Sequence, residues 1–144
     1  MALDDKKVNP DFTVDERIAA AVRGRLEQGL LPCASAIALA GELGCEPIAL
    51  GANADALRIP ITACQIGLFG YPGHAKGWEG AGVAAQPLPA GLETALLAAR
   101  NDRGELTCLS IWGAAERAGC SRMQAGYVAD RLGIKIRGCQ LGAF

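Results

Sequence analysis

Apolar residues recur at four-residue spacing near the start of the chain, as they do along one face of an amphipathic helix. Ile18, Val22 and Leu26 occupy these positions. Thr13 opens a Thr-x-x-Glu capping box, which is typical of a helix start, and Gly29 is suited to stop a helix. The pattern therefore predicts a first helix between Thr13 and Gly29.

Much of the chain is an internal repeat. Residues 31–69 match a later stretch at an offset of 75 positions without a gap, and 16 of the 39 aligned pairs are identical. Extended upstream, the repeat predicts two domains, residues 14–69 and residues 89–144, after an N-terminal tail of residues 1–13. Residues 70–88 form a Gly/Pro-rich connector whose composition disfavours a regular element. We expect a linker or a long loop there.

Each repeat is predicted to contain a second helix of about two turns, followed at once by a third helix. Serine is expected to cap the second helix and glycine to end it. The third helix is expected to begin with proline in the first repeat and with a serine cap in the second. These residues are Ser35, Gly44 and Pro47 in the first repeat and Ser110, Gly119 and Ser121 in the second.

Each repeat contains a small residue, a turn glycine and a later apolar residue that look like those of a helix-turn-helix. These are Ala40, Gly44 and Leu50 in the first repeat and Ala115, Gly119 and Ala125 in the second. An alternating stretch after the third helix is typical of a strand, which we expect to pair with the segment before the second helix. The repeats therefore resemble winged-helix-like helix-turn-helix units, and no narrower family is identified. This resemblance implies a mostly α fold of two pseudo-symmetric units with short β-strands. The alternating stretches are residues 59–62, which follow the pattern of Ala40, Gly44 and Leu50, and residues 134–137, which follow that of Ala115, Gly119 and Ala125.

The third helices of the two repeats differ in chemistry. In the second repeat, the third helix and the strand after it offer side chains that can reach phosphates and base edges. Residues 89–144 carry a net charge of +2, against −2 for residues 14–69. These features predict a small transcription regulator whose second repeat docks on double-stranded DNA, which leaves the first repeat free to form a homodimer. The predicted DNA-binding residues are Ser121, Arg122, Gln124, Tyr127, Arg131, Lys135 and Arg137.

Two alternatives remain open. The net charge of −1 for the whole chain gives no global attraction to nucleic acid, which suits a tandem winged-helix module that binds a protein partner. A metal or redox sensor is the other alternative, because each repeat carries the spacing C-x11-C-x18-C and paired cysteines could hold zinc or an iron-sulfur cluster. We favour buried thiols without a cofactor, and disulfides are a further possibility. The alternative metal ligands are Cys33, Cys64, Cys108 and Cys139.

Nothing in the sequence indicates catalysis. His74 is the sole histidine and has no paired nucleophile or second base, so we predict no enzyme and no catalytic residues. The N-terminus lacks the apolar core of a signal peptide, and no run approaches the roughly 18 apolar residues of a membrane span. We therefore expect a soluble cytoplasmic protein without membrane association.

Glycine inside a helix costs about 1 kcal/mol relative to alanine, yet Gly51 and Gly126 both stand inside predicted third helices. Their recurrence predicts close approach of another backbone, with a ligand site as the alternative. Each repeat ends in Cys-Gln-x-Gly-x-Phe, at residues 64–69 and 139–144. We interpret this motif as a structural closure in which Gln binds backbone amides, Gly permits a bend and Phe fills the core.

Overall fold

The computed structural model describes residues 11–144, so most of the predicted N-terminal tail lies outside the described residues. The described chain is mostly helical, as predicted. Two short strands, β1 (Leu31–Pro32) and β2 (Ile61–Thr62), form a small sheet. The helices are α1 (Glu16–Arg23), α2 (Cys33–Leu43), α3 (Pro47–Ala56), α4 (Gly77–Gly80), α5 (Leu92–Ala98), α6 (Cys108–Ala118) and α7 (Arg122–Arg131), with a 3-10 helix at Val83–Ala85.

The chain divides into two compact units. Unit 1 contains residues 11–64 together with Gln140–Phe144, and unit 2 contains Gln65–Cys139. The boundaries of these units differ from those of the sequence repeats. The last five residues of each repeat belong to the unit that contains most of the other repeat. Two short segments, residues 65–69 and Gln140–Phe144, are therefore exchanged between the repeats.

In unit 1, α1 begins later and ends earlier than the sequence predicts. Asp15, not Thr13, is the N-cap, and its carboxylate accepts hydrogen bonds from the amides of the first turn. The helix ends at Arg23 with Gly24 as its C-cap, so the prediction of a stop at Gly29 is wrong. The amide of Asp15 also donates to Oδ1 of the buried Asn53 at 2.8 Å, which fastens the start of α1 to α3.

The second helix of each repeat has 11 residues, not the two turns expected. The predicted serine caps are also wrong. Pro32 precedes α2 at the N-cap, and Thr107 caps α6. Ser110 is instead the third residue of α6, where its hydroxyl accepts from the Thr107 amide at 2.8 Å and completes a capping box. A hydroxyl at either the N-cap or the N3 position of a capping box can pair with a backbone amide. The sequence alone therefore allows either Thr107 or Ser110 to be the N-cap.

The ends of these helices agree with the sequence analysis. Gly44 after α2 and Gly119 after α6 adopt the left-handed conformation with φ of 66° and 74°, which glycine tolerates without the penalty of a Cβ. Pro47 is the first residue of α3, and Ser121 caps α7. In unit 1 the chain bends by 117° between α2 and α3.

The predicted strand pairing is present in both units. In unit 1, β1 and β2 are parallel, with Leu31 opposite Ile61. In unit 2, Leu106 and Ile136 form a single parallel bridge, at the same offset of 75 residues. Strand segments this short add few hydrogen bonds, so they mainly fix where the chain lies after the third helix.

Residues 70–88 are more ordered than the connector we expected. They contain α4 and the 3-10 helix, so the prediction that regular elements are absent is wrong. Trp78 and Val83 are buried and pack with Tyr127 of α7 in one apolar cluster of unit 2. Burial of these side chains outweighs the weak helical propensity of Gly and Pro around them.

None of the helices in residues 11–144 is by itself long and apolar enough to cross a membrane. Helices α2 and α3 reach that length and composition only as a bent pair.

Gly51 and Gly126 are explained by backbone packing, as predicted. A Cβ at Gly51 would lie 1.7 Å from the carbonyl oxygen of Leu141 in unit 1, and a Cβ at Gly126 would lie 2.0 Å from that of Ile66 in unit 2. The exchanged segments therefore run directly against α3 and α7. Within the Cys-Gln-x-Gly-x-Phe motifs, Ile66 and Leu141 are buried. Phe69 and Phe144 stay partly exposed, so the aliphatic residue, not the Phe, fills the core.

Replacing Gly51 with Ala should lower the free energy of unfolding by about 3 kcal/mol or more, because a backbone carbonyl must move to admit the new methyl group. Gly41→Ala is the matched control, since Gly41 lies in α2 of the same unit and an added Cβ there meets nothing within 4 Å. The control should raise stability by about 0.5–1 kcal/mol. Urea unfolding followed by circular dichroism measures both, and similar destabilisation by both substitutions would contradict the packing explanation.

Candidate nucleic-acid interface

The start of α7 is fixed by a capping box that uses two of the predicted DNA-binding residues. The Ser121 hydroxyl accepts from the Gln124 amide, and Oε1 of Gln124 accepts from the Ser121 amide, both at 3.0 Å. Nε2 of Gln124 donates to Oε1 of Gln86 at 3.0 Å. These bonds satisfy helix amides that have no partner within the helix and hold the first turn of α7 in place.

Arg122 is held by two contacts within unit 2. Its guanidinium lies over the Trp112 ring of α6, 3.5 Å from the ring centroid, and Nη1 donates to Oε1 of Gln65 at 2.6 Å. A cation over an aromatic face is attracted by the ring quadrupole. Arg122 is exposed, but its geometry is set by α6 and by the exchanged segment, so it is partly a structural residue.

Tyr127 is buried, contrary to what a base-contacting side chain requires. The residue is 9% exposed, and its ring meets Trp78 edge to face, with 6.0 Å between the centroids. Its hydroxyl accepts from Nη1 of Arg131 at 3.0 Å. This hydrogen bond raises the pKa of Arg131 above its ordinary value, so the exposed guanidinium stays charged. Tyr127 therefore positions Arg131.

Lys135 and Arg137 flank the parallel bridge that follows α7. The Lys135 carbonyl accepts from the Leu106 amide at 2.9 Å, and the Arg137 amide donates to the Leu106 carbonyl at 2.8 Å. Nε of Arg137 lies 3.0 Å from Oε2 of Glu105. Both basic side chains are exposed, and the backbone bonds fix the strand segment from which they extend.

The predicted site residues fall on two sides of α7. At about 100° per residue, Arg122 lies about 180° around the helix axis from Arg131. Gln124, Val128 and Arg131 share one stripe, at spacings of four and three residues, and Val128 packs against the buried cluster of unit 2. Ser121 precedes this stripe as the N-cap. The buried Ala125 and Ala129 lie on the side nearer to Arg122. Gln124 and Arg131 therefore lie on one side of α7, and Arg122 lies on the other.

Trp112, Gln65 and Gln86 contact the predicted residues and were missed by the sequence analysis. Trp112 and Gln65 reach Arg122 through the packing of α6 and of the exchanged segment, which leaves no local sequence signal. Tyr127 and Arg131 do carry one, because residues four apart on a helix are neighbours.

An open groove of about 550 Å³ runs beside Arg122, lined by residues of α6 and of the turn that precedes α7. Cys120 lies in this turn, and burial raises the pKa of its thiol. In the part of the chain from residue 11 onward, Nε1 of Trp112 is buried without a hydrogen-bond partner. The lining residues are Leu109, Trp112, Gly113, Ala115, Glu116, Cys120 and Arg122.

All six cysteines lie within residues 11–144 and form no disulfide bond there. Cys33, Cys64 and Cys108 are buried, and Cys45, Cys120 and Cys139 are partly buried. Among residues 11–144, no group of three or more His, Cys, Asp or Glu side chains is arranged to hold a metal ion.

Comparison with protein-family models, with curated proteins and with solved structures gives no match.

Because burial raises its pKa, Cys120 should have a smaller thiolate fraction at pH 8 than the same residue in an unfolded peptide. Alkylation by iodoacetamide should therefore be slower in the folded chain and should accelerate only at higher pH. Quantitative mass spectrometry of the Cys120 peptide across pH, with a urea-unfolded sample as control, measures this. A rate profile that rises at the same pH in both samples, or earlier in the folded one, would disprove the shift.

Proposed function

We propose that this protein binds double-stranded DNA through unit 2, with α7 in the major groove, as a small transcription regulator. The observation that carries the proposal is the exposed Arg131 on α7, followed by exposed Lys135 and Arg137 on the adjoining strand segment. Arginine and lysine contact phosphates and guanine edges, whereas the side-chain amide of Gln124 is already bonded to Ser121 and Gln86.

The arrangement of α6 and α7 supports this reading. The turn between them runs from Gly119 to Ser121, and Gly119 is left-handed. Ala115 and Ala125 are buried, which suits the close contact between helices that a helix-turn-helix requires. The 117° bend between the corresponding helices of unit 1 lies within the usual range of about 90–120°. In such motifs the second helix enters the major groove.

The two units differ in the side chains at this surface. Glu46, Ala49 and Ala56 stand in unit 1 where Ser121, Gln124 and Arg131 stand in unit 2, and Pro60 and Thr62 replace Lys135 and Arg137. Phosphate binding depends on cations, so unit 2 is the DNA-binding unit in this proposal. Unit 1 is then available for dimer contacts.

Arg131→Ala and Lys135→Ala should each weaken binding to duplex DNA roughly tenfold at moderate salt and lower the salt slope by about one unit, because each removes a phosphate contact. Arg23→Ala in α1 is the control: it removes the same charge from an exposed helix site in unit 1 and should leave binding nearly unchanged. Fluorescence anisotropy titrations across salt measure all three. Salt-independent binding, or equal losses in all variants, would refute the interface.

A protein-binding module is the second candidate, favoured by exposed apolar side chains on unit 2. Leu109 of α6 is 62% exposed and Leu97 of α5 is 38% exposed. An open groove of about 590 Å³ lies beside Leu109 and includes Ala98 and Gly113. The test uses the chain to capture a stoichiometric partner protein from nuclease-treated extract. If this candidate is correct, Leu109→Asp abolishes the capture and Arg131→Ala does not. The opposite pattern would count against it.

A further inference from the structure

The two Cys-Gln-x-Gly-x-Phe segments are seated in the same way in opposite units. Residues 65–69 lie in unit 2, which contains α7, and Gln140–Phe144 lie in unit 1, which contains α3. In both cases the carbonyl of the third motif residue touches the helix glycine, Ile66 on Gly126 and Leu141 on Gly51. One binding mode is therefore used twice.

The surface of α3 around Gly51, called the seat below, accepts only a particular kind of peptide segment. Leu141 is 1% exposed, so its position requires an apolar side chain that fits a closed space. Gly142 has a φ of 75°, a left-handed backbone conformation that residues with a Cβ rarely adopt, so glycine is favoured there. Gly51 must lack a Cβ for the carbonyl to approach. The structure thus accounts for Leu141 and Gly142, and the motif around them, Gln-(Leu or Ile)-Gly-x-Phe, occurs twice in this chain.

We propose that the surface of α3 around Gly51 is a binding site for this peptide motif, and that a second copy of the chain can fill it with its own Gln140–Phe144 segment. The segment is only five residues long and completes unit 1 from a distant part of the sequence. Its seat depends on packing against α3, which a copy from another chain can reproduce. Exchange of an identical element between chains is a known route to dimers.

Occupancy by the chain's own segment is favoured at ordinary concentration, since a tethered ligand has a high effective concentration. Exchange between chains should therefore dominate only when internal insertion is blocked. Two full-length variants create this condition. Gly51→Leu blocks the seat and leaves the segment intact, whereas Leu141→Asp spoils the segment and leaves the seat intact.

Mixed together, these variants should form a 1:1 heterodimer in which the Gly51→Leu chain donates its segment to the Leu141→Asp chain. Native mass spectrometry should detect at least roughly tenfold more heterodimer in this mixture than in the control. The matched control pairs Leu141→Asp with the double variant Gly51→Leu/Leu141→Asp, whose Gln140–Phe144 segment is also spoiled, while residues 65–69 stay in unit 2 in every variant. Equal amounts of heterodimer in both mixtures, or none in either, would overturn the proposal.

Circular dichroism establishes whether both variants fold. If one does not, isotope-labelled and unlabelled wild-type chains are heated together at high concentration, cooled and analysed by native mass spectrometry. Mixed dimers that disappear when both chains carry Leu141→Ala support exchange. Absence of mixed dimers, or their persistence with Leu141→Ala, refutes it.

Discussion

In unit 1 the carbonyl of Leu141 occupies the place where any residue but glycine would carry a Cβ at position 51, and in unit 2 the carbonyl of Ile66 does the same at position 126. A backbone cannot yield to a methyl group as a flexible side chain can, so these contacts set how closely each exchanged segment lies against its helix. The burial of Ile66 and Leu141 follows from that approach. These two contacts therefore decide which residues belong to each compact unit, because each unit is completed by a segment of the other repeat.

The same constraint shapes the candidate DNA interface. The segment that presses Ile66 on Gly126 also presents Gln65 to Arg122, while Trp112 of α6 supports the same guanidinium from its face. The side of α7 near Arg122 is therefore occupied by structural contacts. The opposite side carries the exposed Arg131, on which the proposed function depends, and Tyr127 links Arg131 to the buried cluster of unit 2.

Local signals were sufficient for much of the fold. The left-handed Gly44 and Gly119, Pro47 at the first position of α3 and the Ser121 cap are where the sequence predicts them, because each depends on the backbone of a few neighbouring residues. The errors arose where two local solutions compete. Thr13 and Asp15 can both cap α1, and Thr107 and Ser110 can each occupy either end of a capping box. The order in residues 70–88 was missed because it depends on burial of Trp78, which is decided by distant residues.

The sequence by itself determined the duplication, the helix-rich repeat, the turns and the need for close backbone contact at Gly51 and Gly126, since identical residues at a constant offset and the steric demands of glycine are visible in one dimension. Only the tertiary structure decided which segment makes each contact, and it assigned each closing motif to the opposite repeat. It also divided the predicted site, burying Tyr127 and separating Arg122 from Arg131. The physical reason is that burial and backbone approach are properties of residues far apart in the chain, whose pairing no local pattern specifies.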